Sequence, residues 1–134
     1  MVIVDTSAWI QFFNRPESAE RHAIDVLIDA DRAVMVGVVL AELLQGCRTS
    51  QESSAILSEV RGLRFLDTDF ATWRRTGELS RALRSRGVTL PLPDILIAAL
   101  ATEHNCPVYT LDPHFEQIPG LSLYRPSRQR FIAR

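Results

Sequence analysis

The stretch MVIVDTSAWI, residues 1–10, runs three apolar residues, Val2–Val4, without a turn into Asp5 and the hydroxyls of Thr6 and Ser7. The apolar pattern then resumes through Trp9 and Ile10. A short Val/Ile run of this kind reads as a buried strand. A carboxylate at its end costs free energy unless something compensates the charge. In open parallel α/β sheets, ligands bind at the C-terminal ends of the strands. Asp5 therefore raises two questions at once: what sheet it ends, and what it faces there.

The chain beyond it answers the first. Ala33–Val36, Arg64–Leu66, Val108–Tyr109 and residues 121–124 are further strand-like runs. Between them lie helical patterns at 17–31, 38–47, 52–60, 69–86 and 91–104. In the first of these, Ala23, Val26, Leu27 and Ala30 fall at helical spacing. In the fourth, Phe70, Trp73, Leu79 and Leu83 are expected to face inward, with most arginines outward. The helix at 91–104 is apolar on nearly all sides. Strands alternating with crossover helices predict a three-layer α/β/α sandwich around a mostly parallel sheet of four to five strands. The 134 residues make one domain, 1–134, with no repeat or linker. The basic end RPSRQRFIAR reads as a solvated terminus sooner than as an RNA-contacting arm.

Composition narrows the chemistry. No apolar run approaches the roughly 20 residues that span a bilayer. The strand-like start is not a signal peptide, so a cytoplasmic protein without a membrane role is expected. Cys47 and Cys106 show no zinc spacing and are expected to be free thiols. All 15 basic residues are arginine. The absence of lysine excludes P-loop phosphate binding, Schiff-base chemistry, and the acidic pockets of receiver and haloacid-dehalogenase-type proteins.

Most of the 16 acidic residues fall on polar faces or at helix starts. Four do not. Asp5 follows VIV, Glu42 lies within VVLAELL, Asp94 within LPLPDILIAAL, and Asp112 follows PVYTL. Two end strands and two lie near helix starts, so all four fall close to one sheet edge. Taken singly, Asp5 is as well explained as a helix N-cap as a catalytic acid. Asp94 is an ordinary first-turn acid, and Asp112 before Pro113 an Asx-turn. Glu42, mid-helix among Leu and Val, has no such easy explanation unless its helix leaves it exposed. Together, one shared site is more probable than four separate ones. Converged carboxylates repel each other, and a divalent cation resolves that repulsion. Oxygen donors suit Mg²⁺, with Mn²⁺ able to substitute.

Thr6, Ser7 and Thr110 are candidates to orient the carboxylates or a water. Arg84 and Arg86, just before the Asp94 helix, are candidate phosphate contacts. Asp67 and Asp69 are left outside the site, because Thr68 or Asp69 caps the 69–86 helix. His114, two residues after Asp112, is a candidate to touch phosphate or to stand where an extra acid would fit, but reads sooner as a solvated loop histidine.

MVIVDTSAWI, AELLQG, LPLPDILIAAL and VYTLDPHF, in this order and spacing, together resemble a PIN domain, and more narrowly a VapC-type toxin of a bacterial toxin–antitoxin pair. The resemblance covers essentially the whole chain. It implies a metal-dependent endoribonuclease that hydrolyses RNA to a 3′-hydroxyl and a 5′-phosphate, inhibiting translation. It places the family's acids at Asp5, Glu42, Asp94 and Asp112. Asp5, Asp94 and Asp112 would hold Mg²⁺, and Glu42 would bind the metal or orient the attacking water. It further implies a homodimer and a VapB-type antitoxin, through which alone DNA is contacted. Trp9, Phe12 and Phe13 are candidates for the antitoxin contact, with at least one expected in the core instead. Many relatives carry a further acid shortly after the fourth; this chain has His114 there. The alternatives are a phosphatase-like acidic-pocket domain and a non-catalytic interaction module.

Overall fold

The computed structural model describes residues 1–127. Four strands form one parallel sheet in the order β3-β2-β1-β4. They are β1 (Val2–Val4), β2 (Ala33–Val36), β3 (Arg64–Leu66) and β4 (Val108–Tyr109). The register pairs Ile3 with Val34 on one side and with Val108 on the other. β1 is thus central, which places Asp5 in the middle of the sheet's C-terminal edge.

Every residue of β1 and β2 is buried. Because side chains alternate between faces, both faces of the sheet must be covered, as in α/β proteins generally. Among the described residues, six helices cover them: α1 (Thr6–Asn14), α2 (Ala19–Asp29), α3 (Gly37–Gln45), α4 (Ser50–Val60), α5 (Phe70–Ser85) and α6 (Leu92–Glu103). α1 packs on α2 and α3, α3 packs on α4, and α5 packs on α6. Helix α6 buries every residue from Ile95 to Ala101, which is why its sequence shows no polar face. β3 is the edge strand, and Arg64 and Phe65 are exposed there. Cys47 and Cys106 are free thiols.

Two helix faces differ from the sequence expectation. On α2 the buried set is Ala23, Ile24 and Leu27, while Val26 is 48% exposed. On α5 the buried set is Thr72, Thr76 and Leu83, whereas Phe70 is 84% and Trp73 50% exposed. Burying threonines is tolerable here because both hydroxyls are satisfied. Thr76 Oγ1 donates to the Thr72 carbonyl at 2.8 Å, and Thr72 Oγ1 donates to Glu103 at 2.9 Å. Asp69 caps α5 in a capping box with Thr72, which fixes the helix with that face inward.

The fifth strand shrinks to a single parallel bridge between Leu123 and Val108. The segment reaches it after a turn at Gly120, with φ of 77°, and runs on to Pro126. Residues 128–134, most of the basic end, lie outside the described residues. No helix among the described residues is long and apolar enough to cross a membrane.

Candidate metal and catalytic centre

Asp5 is 4% exposed and occupies the N-cap position of α1. Its side chain caps nothing there. Instead its Oδ2 accepts from Ser7 Oγ at 2.8 Å and from Thr110 Oγ1 at 2.9 Å. The two hydroxyls lie 3.2 Å apart. Ser7 Oγ also accepts from the Leu111 amide, and Thr110 Oγ1 from the Asp112 amide. These bonds tie the end of β1 and the start of α1 to the segment after β4, and the network that holds the Asp5 carboxylate also fixes the backbone of Asp112.

Asp94 enters from the first turn of α6, two residues after the helix begins at Leu92. Pro93 beside it lacks an amide hydrogen that the helix start would leave unpaired in any case. Burial, then the charge of Asp5, push the Asp94 carboxyl up to about 6; Asp112 adds to this and His114 opposes it. The site therefore carries carboxylate repulsion that its own protein groups only partly relieve.

Asp112 caps the short 3₁₀ turn Pro113–Gln117 by accepting from the His114 amide at 2.9 Å. The turn folds the imidazole back over the acids. His114 Nδ1 lies 3.2 Å from Asp112 Oδ1 and 3.3 Å from Asp94 Oδ2. His114 is thus a member of the site, not a solvated loop residue. The signals for it in the sequence are the spacing D-P-H after a strand and its place where many relatives carry a further acid. Without the cap geometry, that spacing does not say which way the ring turns.

Glu42 stands on an exposed position of α3, where its Oε1 accepts from Thr6 Oγ1 at 3.0 Å. All three hydroxyls singled out in the sequence therefore bond carboxylates: Ser7 and Thr110 to Asp5, Thr6 to Glu42. Arg84 and Arg86 are exposed at the end of α5. Among the described residues, no hydrogen bond or ion pair joins them to the acids.

The donor set suits a divalent cation. Single ligand atoms from Asp94, Asp112 and His114 lie within 4.8 Å of one another, a spacing one ion can bridge. Asp5 stands beside this trio and acts on Asp94 through its charge.

Next to Glu42, Ile10, Phe13, Leu43, Cys47 and Ile56 line a groove of about 510 Å³ between α1, α3 and α4. Of the aromatic residues of α1, Trp9 and Phe12 are fully buried and packed on each other, which excludes them from that surface. Phe13 alone reaches the groove, joined by Ile10.

The PIN domain family model matches residues 2–121. The chain is 31% identical over 126 residues to Ribonuclease VapC11 of Mycobacterium tuberculosis, covering 91% of this chain and 94% of that protein. It is 27% identical over 107 residues to Ribonuclease VapC21 of the same organism, covering 78% of each. Its fold matches that of VapBC2 from Rickettsia felis bound to a promoter DNA fragment, with a TM-score of 0.79 at 22% identity over 92% of this chain and 98% of that one. DNA-bound VapBC from Salmonella typhimurium gives a TM-score of 0.73 at 26% identity over 92% and 96%. The matched span takes in the sheet, both groups of helices and all four acids, and the chain belongs to the PIN domain family, with the VapC ribonucleases as its relatives.

Proposed function

We propose that the protein is the toxin of a toxin–antitoxin pair, a divalent-cation-dependent endoribonuclease that stops translation by hydrolysing RNA in the cytoplasm. The observation that carries this reading is Asp5. A buried carboxylate at a helix start does not cap its helix; two hydroxyls hold it instead, near enough to Asp94 to act on it through its charge. That arrangement spends hydrogen bonds on gathering negative charge, which serves cation binding and not stability.

In this reading Asp5, Asp94 and Asp112 hold Mg²⁺ or Mn²⁺. The bound cation supplies charge neutralisation at the phosphoryl oxygens and a more acidic water. Glu42, with Oε1 engaged by Thr6, offers Oε2 to orient the attacking water. The water oxygen bonds to phosphorus as the bond from phosphorus to the 3′-oxygen breaks, and the departing oxygen takes up a proton. The products are a 3′-hydroxyl and a 5′-phosphate. Arg84 and Arg86 contact phosphates flanking the cleaved bond. The groove lined by Ile10, Phe13 and Ile56 accepts an apolar segment of a VapB-type antitoxin, which alone carries DNA binding. A homodimer completes the assembly. The relatives named as ribonucleases and the VapBC complexes support this assignment.

The test is cleavage of total cellular RNA by the purified protein with Mg²⁺ or Mn²⁺, beside Asp5→Ala. Cleavage by the wild type and none by the variant is the expected result. Equal cleavage by both would remove Asp5 from the site. Absence of cleavage by either would favour a non-catalytic interaction module.

A further inference from the structure

We infer that His114 is itself a ligand of the cation, through Nδ1, and that it makes the site prefer Mn²⁺ to Mg²⁺. This rests on the cation-dependent reading above.

The position of the ring is the starting point. Its backbone amide is bonded to Asp112 Oδ1, so the side chain leaves the chain at a fixed place. Nδ1 then lies 3.2 Å from Asp112 Oδ1 and 3.3 Å from Asp94 Oδ2, two oxygens on different elements. An imidazole nitrogen facing two carboxylate oxygens is attractive only if something positive lies between them. That is either the nitrogen's own proton or a cation bound by its lone pair. An octahedral ion with bonds of about 2.0–2.1 Å sets neighbouring donors roughly 3 Å apart. The observed separations match that spacing.

The donor chemistry then selects the ion. Mg²⁺ keeps oxygen ligands and several waters and gains little from imidazole. Mn²⁺ takes carboxylate oxygens as Mg²⁺ does, and as a transition-metal ion it also accepts an imidazole nitrogen, which Mg²⁺ does poorly. The His114 side chain is 45% exposed, so its other nitrogen can donate to water, as the second nitrogen of a metal-bound histidine does.

The experiment uses the purified protein stripped of metal. Mn²⁺ binding is read from loss of the free-ion electron paramagnetic resonance signal, Mg²⁺ by competition, and ligation from nitrogen coupling in the pulsed spectrum of bound Mn²⁺. The wild type should show nitrogen coupling and bind Mn²⁺ at least about tenfold more tightly than Mg²⁺. His114→Gln and His114→Asp should both abolish the coupling. In His114→Gln, Mn²⁺ affinity should fall by about 10–100-fold, the range for disturbed metal sites, with Mg²⁺ affinity little changed. Circular dichroism checks that each variant is folded. Absence of nitrogen coupling in the wild type, its persistence in both variants, or an equal loss for both ions would overturn the assignment. If RNA is cleaved but no coupling is seen, the ligand assignment fails and the ribonuclease reading stands. If coupling is seen but no RNA is cleaved, the reverse holds.

Discussion

Thr6 donates its hydroxyl to Glu42 at 3.0 Å, joining the first turn of α1 to α3 across 36 residues of chain. Glu42 is exposed and long, so without this bond its carboxylate samples many rotamers. Thr6→Val keeps the branched shape and removes the donor. Because the pair is exposed, stability should change by less than about 0.5 kcal/mol. RNA cleavage should fall about tenfold, the lower end for groups that orient site ligands. Urea denaturation and single-turnover cleavage on one preparation measure the two. An unchanged rate would show that Thr6 does not position Glu42.

Asp94 gives a pH signature. Its carboxyl titrates near 6 in the folded protein against an ordinary 3.8, chiefly through burial and then the charge of Asp5. Between those values the native state binds more protons than the unfolded chain, so this group makes stability fall as pH rises from about 4 to 6. Above pH 6 the ionised carboxylate of the metal-free protein costs on the order of 3 kcal/mol. Asp94→Asn should therefore be more stable than wild type at pH 7 in a chelator, with the gap closing by pH 4. Saturating Mn²⁺ should stabilise the wild type alone and reverse the order. Denaturant midpoints at several pH values decide it; a gap independent of pH would mean that Asp94 is not under this repulsion.

Much of this was legible in the sequence. The short Val/Ile runs announce parallel strands buried on both faces, and the apolar ring of α6 announces its central place. Local patterns misled where tertiary partners decide. Thr72 turns inward because Glu103 accepts its hydroxyl from another helix, and Phe70 and Trp73 are left outside. Asp5 could not be separated from an N-cap by sequence because the distinction lies in Thr110, more than a hundred residues away. His114 was misread for a similar reason: its ring direction follows from the cap that Asp112 makes.

The burial of Trp9 and Phe12 separates folding from partner binding. Phe12 packs edge-on against both Trp9 and Phe13, and the Arg21 guanidinium lies 4.1 Å over its ring. Phe12→Ala should lower stability by about 3–5 kcal/mol. Ile10→Arg, in the groove wall, should leave stability within about 0.5 kcal/mol and, on the proposed function, abolish binding of a VapB-type antitoxin. Thermal denaturation and co-purification with the antitoxin distinguish them. Unimpaired antitoxin binding by Ile10→Arg would place the partner elsewhere.

Asp5 allows the sharpest separation of charge from hydrogen bonding. Asp5→Asn removes the negative charge but keeps an oxygen for Ser7 and Thr110; Asp5→Ala removes both. Each should lower RNA cleavage by at least about a hundredfold if Asp5 serves the cation. Their stabilities should differ. In the chelated protein at pH 7, Asp5→Asn should equal or exceed the wild type, because Asp94 loses the second-largest influence raising its pKa. Asp5→Ala should fall below Asp5→Asn by about 1–2 kcal/mol, since two part-buried hydroxyls lose the acceptor for their protons and can donate only to each other, 3.2 Å apart. The Asp94 titration midpoint, followed by carboxyl carbon resonances, should move down in both variants. Equal stabilities for the two would mean that the Ser7–Thr110 pair satisfies itself. An unmoved Asp94 midpoint would mean that the two carboxylates do not share a site.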